Sequence, residues 1–199
     1  MPEERPRIAA IVLAAGGSSR FGEPKQLIEH GGQPLVRRAA AAAQEAGASP
    51  VIVVLGADVD QILPALVGLP DVRVALNARW ESGLATSLSA GLMALGENDN
   101  VEGALVVLAD QPFVDSHSLK SLIDAFGASR LVASSYGGTI GVPAVIGAEF
   151  FAELSQLEGD RGAGPWLRKR SEEVTAIPLP ASPLDIDTPE DMALLRQLD

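Results

Sequence analysis

The first segment with an evident capacity for chemistry is the loop LAAGGSSRFGEPKQL at residues 13–27, which follows a short apolar run. It places Gly16 and Gly17 beside Ser18, and the cations Arg20 and Lys25 follow. Glycines let backbone N–H groups approach a ligand closely, and clustered N–H donors favour phosphate oxygens. Residues 8–38 carry four positive and two negative side chains, a local balance of +2 in a chain of net charge -11. The loop is therefore a candidate polyphosphate site.

Two common phosphate motifs do not explain this loop. The spacing from Gly17 to Gly22 fits a P-loop, but Glu23 and Pro24 follow where that motif needs Lys and then Ser or Thr. The dinucleotide pattern GxGxxG is absent. From the residues alone, a glycine-rich turn with incidental charges stays an open alternative, because such turns are frequent.

Carboxylates that could hold a metal ion occur at two places. Asp110 ends the otherwise apolar run ALVVLAD at residues 104–110, where an unpaired buried charge would be costly. A carboxylate at the carboxyl end of a central strand faces the ligand crevice, and its oxygens suit Mg²⁺. The alternative is that Asp110 only caps the turn before Pro112. Asp187 lies in the acidic tail string DIDTPED at residues 185–191 and can equally cap the last helix.

A later group of small and polar residues is a further candidate. Gly83 and Ser87 lie near a predicted helix start, where hydroxyl groups can read a base or a ribose but can equally cap the helix. Further along the chain, the string GDRGAG at residues 159–164 is typical of an ordinary turn with glycines at positive φ.

The elements that must position these residues follow from apolar periodicity. Short apolar runs at 8–13, 51–55, 72–76 and 104–108 predict strands, and helical patterns lie between them. One helix is predicted from Pro34 to a stop at Gly47, and another after Asp115 as N-cap. This alternation predicts an α/β layered domain with a mostly parallel sheet, in which ligands bind at the carboxyl ends of strands. No linker is evident, so a single domain is expected over residues 1–199.

Composition excludes several classes of function. The chain has no cysteine, which removes disulfides, zinc-thiolate sites and thiol nucleophiles, and its two histidines cannot build a His-rich metal centre. A net charge of -11 disfavours nucleic acid and anionic membranes as partners. The N-terminal residues lack the pattern of a secretory signal, and no segment approaches the roughly 18 to 20 apolar residues of a membrane span. A cytoplasmic location is expected.

The loop at residues 13–27 resembles the signature of the nucleotidyltransferases related to the molybdenum cofactor enzymes, the MobA/MocA-like NTP transferases. The resemblance implies a three-layer, Rossmann-like α/β domain with a mostly parallel, mixed central sheet. It also implies that the loop binds a nucleoside triphosphate, that Arg20 holds phosphates, and that Lys25 neutralises charge near the α-phosphate. The implied nucleotide-binding residues are Leu13, Ala14, Ala15, Gly16, Gly17, Ser18, Arg20, Lys25, Gly83 and Ser87.

Three further strings are similar to later motifs of this family. The string LADQP implies that Asp110 binds magnesium, and DIDTPED implies that Asp187 completes the metal site. The glycine-rich strings after residue 140 imply acceptor-binding roles for Gly141, Pro143, Gly159, Asp160 and Gly162. Val142 and Gly164 depart from the family pattern, in which a His and a basic residue are frequent at these positions.

Together these motifs imply a transfer of CMP from CTP to the terminal phosphate of molybdopterin cofactor, with Mg²⁺ or Mn²⁺ as cofactor and release of pyrophosphate. Ala15 and the string GLATSL favour cytidine over guanosine. A molybdoenzyme or its maturation chaperone is a further expected partner. The alternatives are use of GTP, another phosphorylated acceptor, a glycosyltransferase suggested by Asp185-x-Asp187, and a non-catalytic nucleotide-binding protein.

Overall fold

The central strand of the protein is β1, Ile8–Leu13, with a strand paired on each side, and all six of its residues are buried because both faces of the sheet are covered. The computed structural model of the chain describes residues 5–18, 23–96 and 99–179, together with Ile186, Thr188, Asp191 and Leu195. β4 (Val51–Leu55) and β6 (Gly103–Leu108) both run parallel to β1. Strands buried on both faces are continuously apolar, as these three are.

The main sheet also contains β5 (Val72–Leu76), β7 (Leu131–Tyr136), β8 (Thr139–Gly147) and β9 (Thr175–Pro178). In the described part of the chain, its seven strands lie in the order β5-β4-β1-β6-β8-β7-β9. β5 is parallel to β4 and β9 is parallel to β7, whereas β8 is antiparallel to both β6 and β7. The prediction of a mostly parallel, mixed sheet is therefore confirmed. A separate two-stranded hairpin pairs β2 (Glu29–His30) with β3 (Gln33–Pro34).

Helices cover both faces of the sheet. In the continuously described segments they are α1 (Leu35–Glu45), α2 (Val59–Ile62), α3 (Leu84–Met93), α4 (Ser116–Ala125), α5 (Phe151–Leu154) and α6 (Ala163–Arg168). Successive residues of a strand point to opposite faces, so β1 contributes to two cores. Val12 belongs to the core that includes residues of α1, α2 and α4, and Leu13 to the core that includes residues of α3, α5 and α6. The protein therefore has the expected three layers.

Local sequence signals account for two helix boundaries. Pro34 immediately precedes α1, and Gly47, with φ of 99°, follows its C-terminal end. The Asp115 side chain accepts a hydrogen bond from the Ser118 N–H at 2.8 Å, so the predicted N-cap of α4 is confirmed. Within the described part of the chain, no helix has both the length and the apolar character needed to cross a membrane. The prediction that residues 1–199 form one domain stays a prediction.

Candidate functional site

A cavity of about 430 Å³ lies at the edge where β1 and β6 end. Because these strands are parallel, the loops that follow Leu13 and Leu108 emerge side by side. We call this space the first cavity. It is lined by Leu13, Ala14, Ala15, Gly16, Gly17, Lys25, Gln26, Trp80, Glu81, Gly83, Leu84, Ser87, Leu108, Ala109, Asp110 and Asp160. The sequence-predicted loop therefore meets Asp110 and the start of α3 in one place.

The loop after β1 is fixed by the side chain of Gln26. Its Nε2 donates hydrogen bonds to the carbonyl oxygens of Ala14 at 2.9 Å and Gly16 at 2.7 Å, and the residue is only 3% exposed. The Ser18 hydroxyl donates to Gln26 Oε1 at 3.3 Å and accepts from the Lys25 N–H at 2.6 Å. Buried polar groups in proteins are nearly always hydrogen-bonded, and here that requirement sets the path of the loop. Sequence reasoning missed Gln26, because the contact depends on how the loop folds back.

Trp80 packs against two glycines beside this loop. A Cβ atom on Gly17 would lie 2.7 Å from Trp80 Cη2, and one on Gly56 would lie 2.5 Å from Trp80 Cβ. Real Cβ atoms do not approach other atoms so closely, so both positions require glycine while Trp80 stays in place. From the sequence, Trp80 is interpreted as a packing or surface residue. It does pack, but it also forms part of the wall of the first cavity.

Lys25 and Asp110 form an ion pair in the first cavity. Lys25 Nζ lies 2.5 Å from Asp110 Oδ2, and each side chain is 18% exposed. The other carboxylate oxygen, Asp110 Oδ1, is buried and has no hydrogen-bond partner in the described part of the chain. A buried acceptor left unpaired costs about 1–3 kcal/mol, so this oxygen is stabilised by any cation that reaches it. Nothing in the described contacts makes Asp110 a turn cap.

The tail of the chain passes beside Asp110. The N–H of Ile186 donates to the backbone oxygen of Asp110 at 3.0 Å, and Ile186 is fully buried. The residue after it is Asp187, the second predicted metal ligand, and Asp187 lies outside the described residues, as does Arg20. No group of three His, Cys, Asp or Glu side chains that could hold a metal occurs among the residues that are described. Asp110 Oδ1 is suited to be one oxygen ligand of a hard cation such as Mg²⁺.

The start of α3 supplies an ordered hydroxyl group. The buried Asn77 donates through Nδ2 to Thr86 Oγ1 at 2.8 Å and to Ser87 Oγ at 3.0 Å, and its Oδ1 accepts from the Arg79 N–H at 2.9 Å. Ser87 lines the first cavity, and its oxygen acts as acceptor in this bond. Its own proton can therefore be donated to a ligand.

The structure separates the residues that were predicted to bind the acceptor. Asp160 lines the first cavity, next to Gly83. The Ala85 N–H donates to the Gly159 carbonyl at 3.0 Å, and Gly162 packs against Leu84, whose Cδ2 would lie 2.5 Å from a Cβ atom at Gly162. These contacts hold the loop of residues 158–162 against the start of α3, on the same side as the predicted nucleotide site.

Gly141 lies instead beside a second, smaller cavity of about 250 Å³. This second cavity is lined by Leu108, Gln111, Tyr136, Thr139, Ile140, Gly141, Val142, Gly164 and Arg168. Both positions that depart from the family pattern, Val142 and Gly164, are in its wall. Pro143 lies within β8 and is not among the lining residues of either cavity. Leu108 lines both cavities, so they flank the end of β6.

A three-layer α/β fold with a glycine-rich loop after its first strand, a lysine in that loop and an aspartate at the end of the adjacent strand defines a nucleotidyltransferase. Residues 10–174 match the model of the MobA-like NTP transferase domain, and the chain belongs to this family. It is 31% identical over 198 residues to the nicotine blue oxidoreductase of Paenarthrobacter nicotinovorans, covering 94% of this chain and 95% of that protein.

Solved structures are also similar over nearly the whole chain. Rv0371c from Mycobacterium tuberculosis H37Rv matches with a TM-score of 0.83 and 28% identity, covering 96% of this chain and 98% of that one. The same protein has been solved in complex with manganese and matches with a TM-score of 0.75. A Methanothermobacter nucleotidyl transferase matches with a TM-score of 0.81 and 26% identity over 96% of this chain and 97% of that one.

Proposed function

We propose that this nucleotidyltransferase transfers CMP from CTP to the terminal phosphate of molybdopterin cofactor and releases pyrophosphate. The observation that carries the proposal is the first cavity, which is lined by residues 13–17 of the loop, the Lys25–Asp110 ion pair and Ser87. Ala15 and the string GLATSL support cytidine as the base, and the four motifs in family order support molybdopterin as the acceptor.

The residues of the first cavity suit a phosphate nucleophile. A phosphate monoester is largely ionised near neutral pH because its second pKa is about 6, so it needs little help from a general base. The described lining residues include neither His nor Cys, which agrees with that requirement. The barrier is instead repulsion between anions, which Lys25 would offset by shifting from Asp110 towards the triphosphate.

A divalent ion fits this scheme. Asp110 would hold it through the carboxylate that includes the unpartnered Oδ1, and Asp187 is the second proposed ligand on the basis of the family resemblance. When bound, the ion would neutralise phosphate charge and stabilise the leaving pyrophosphate. The manganese complex of Rv0371c supports a divalent metal as cofactor, with Mg²⁺ or Mn²⁺ as the proposed ion.

The assay that tests the proposed function supplies molybdopterin and Mg²⁺ with each of the four nucleoside triphosphates in turn. Pyrophosphate release is measured, and the product is identified by mass. We expect release with CTP, dependent on molybdopterin, and a product that carries CMP. Release with GTP alone would overturn the cytidylyl assignment, and release that does not need molybdopterin would overturn the acceptor.

The name of the Paenarthrobacter relative gives a second candidate function, an oxidoreductase activity. The Lys25–Asp110 pair and the glycine-rich loop favour phosphate chemistry instead, and the chain has no cysteine to serve as a redox group. The test between the two candidate functions uses the same protein preparations. The absorbance of an added nicotinamide or flavin cofactor is measured alongside pyrophosphate release. Redox turnover without pyrophosphate release would support the oxidoreductase.

A further inference from the structure

The second cavity begins where the proposed reaction takes place. β6 and β8 pair in antiparallel register up to Val106 opposite Ala144, and beyond this pair Leu108 and Val142 both line the second cavity. Leu108 lines both cavities, and Asp110 and Gln111, two successive residues after β6, line the first and the second respectively. A molecule held in the second cavity is therefore a near neighbour of a nucleotide in the first.

Arg168 supplies a positive charge to this second cavity. It is the last residue of α6, and its Nη1 donates a hydrogen bond to the carbonyl oxygen of Ile140 at 3.0 Å. Ile140 also lines the cavity, so the bond holds the guanidinium at the cavity wall. A guanidinium has several N–H donors in a planar fork, and this bond leaves the others for a ligand.

Gly164 makes room for this arrangement. It lies one helical turn before Arg168, and a Cβ atom on Gly164 would lie 3.3 Å from Arg168 Nη1. A side chain at position 164 would crowd the guanidinium or displace it. The Arg168 side chain therefore occupies space that the absence of a side chain at Gly164 leaves open.

Arg168 is held by a backbone carbonyl rather than by a carboxylate. Arg73, Arg130 and Arg170 each form an ion pair with a carboxylate. Arg168 instead donates to a backbone oxygen, as Arg37 does. No ion pair joins Arg168 to a carboxylate in the part of the chain that the structure describes. In a protein of net charge -11, a cation at a cavity wall without a carboxylate partner is suited to bind an anion.

We propose that Arg168 binds the phosphate group of the acceptor and determines that the acceptor is a phosphate monoester. This inference rests on the proposed function and deepens it. In the reaction, an oxygen of the acceptor phosphate forms a bond to the α-phosphorus of the nucleotide. The bond from that phosphorus to the bridging oxygen of the β-phosphate breaks, and pyrophosphate leaves with the electron pair. Arg168 transfers no proton and forms no covalent bond, and its fork orients the attacking phosphate.

The test compares Arg168→Ala with a charge-matched control, Lys169→Ala, whose side chain is exposed at the adjacent position. Binding of molybdopterin and, separately, of methyl phosphate is measured by titration in the presence of Mg²⁺ and a non-hydrolysable CTP analogue. We expect Arg168→Ala to weaken binding of both by about 10- to 150-fold, which corresponds to the ~1.5–3 kcal/mol that a hydrogen bond to a charged group contributes. Lys169→Ala should bind molybdopterin and methyl phosphate as wild type does. Neither variant should change the affinity for the CTP analogue.

A second test of the proposal moves the positive charge to another position of α6. The double variant Gly164→Arg with Arg168→Ala places a guanidinium one turn earlier on the same helix, where the alanine leaves space for it. We expect this variant to recover at least part of the lost affinity for methyl phosphate, which a merely structural role of Arg168 would not predict. Thermal unfolding of each variant checks that the fold is retained.

The outcomes separate this inference from the proposed function. Wild-type protein that binds methyl phosphate through Arg168 but does not bind molybdopterin would overturn the proposed acceptor and keep the anion site. Equal binding of molybdopterin by wild type and Arg168→Ala would overturn the anion site and keep the proposed function. Equal losses of acceptor and CTP-analogue binding in Arg168→Ala, or no measurable binding of methyl phosphate to wild type, would also overturn the anion site.

Discussion

The two edges of the central sheet use charged residues in opposite ways. At the amino edge of β6, Arg130 donates to both carboxylate oxygens of Glu149 at 2.8 and 2.9 Å, and Arg73 is paired in the same way with Asp99 at 2.8 Å. At the carboxyl edge, Asp110 has one paired oxygen and one unpartnered oxygen among the described contacts.

The two ion pairs at the amino edge lower the pKa values of their carboxylates. The hydrogen bond from Arg73 holds the pKa of Asp99 below its usual value, with a further contribution from the Gly96 N–H. The hydrogen bond from Arg130 lowers the pKa of Glu149. These carboxylates are satisfied within the protein. The difference teaches that the amino edge serves stability, whereas the carboxyl edge keeps incompletely satisfied groups for ligands.

The comparison predicts its largest effect for Asp110→Asn. We expect the rate to fall by at least ~10²-fold, because a neutral amide cannot hold a divalent cation as a carboxylate does. The free energy of unfolding should change far less, since an asparagine keeps the shape of the side chain and an oxygen that can accept the hydrogen bond from Lys25. Steady-state kinetics and thermal unfolding, measured on the same preparation, check both parts. An unchanged rate would remove Asp110 from the metal site.

Gly83→Ala should have the next largest effect. The added Cβ would lie 2.4 Å from the backbone of Gly159, and Gly83 has a φ of 105°. The loop that carries Asp160 must move. We expect this to weaken the binding free energy of CTP by about 2 kcal/mol, which is a rise in the KM for CTP of about 30-fold. The matched control is Gly127→Ala, which has a φ of 115° and nothing within 4 Å of the added atom. If both variants raise the KM equally, the contact with Gly159 is not responsible.

Gln26→Ala tests whether the order of the first loop matters. It removes both hydrogen bonds to the carbonyls of Ala14 and Gly16. At about 0.5–1.5 kcal/mol for each bond, we expect the KM for CTP to rise by about 10-fold while kcat changes little. Titration with CTP gives the affinity directly. Wild-type affinity in this variant would mean that the loop keeps its path without Gln26.

Asp99→Asn, at the amino edge, should give the smallest effect and should not alter catalysis. Because the pKa of Asp99 is lowered by folding, its contribution to stability is present above the unfolded pKa, near 4, and is lost as the pH falls through the folded pKa. We therefore expect the unfolding temperature of wild type to fall more steeply than that of the variant as the pH is lowered below about 4. Equal slopes would show that the Arg73–Asp99 pair contributes nothing to stability.

Much of the fold could be predicted because the information is local. The apolar runs marked β1, β4, β5 and β6, and Asp115 marked the start of α4. The second half was less predictable, since β8 runs antiparallel and α5 is a helix of only four residues after a 3-10 turn. Pairing partners there lie far apart in sequence and leave no periodic signal.

The site shows the same limit. Motif spacing identified Lys25 and Asp110, which the fold brings to 2.5 Å across 85 positions of sequence. The contacts of Gln26 and Arg168 could not be predicted in this way, because each depends on carbonyl groups whose positions are set by tertiary structure. The predicted roles of Arg20 and Asp187 stay predictions.

The position of Trp80 also has an optical consequence. The chain contains two tryptophans, and the second, Trp166, is buried in the core beneath the Arg170 guanidinium. Of these two tryptophans, Trp80 lines the first cavity and Trp166 does not. Its indole emission depends on local polarity, so the protein carries a built-in fluorophore beside the phosphate loop. A change of emission on nucleotide entry is therefore expected from Trp80, over the emission of the buried Trp166, and it would report binding without a label.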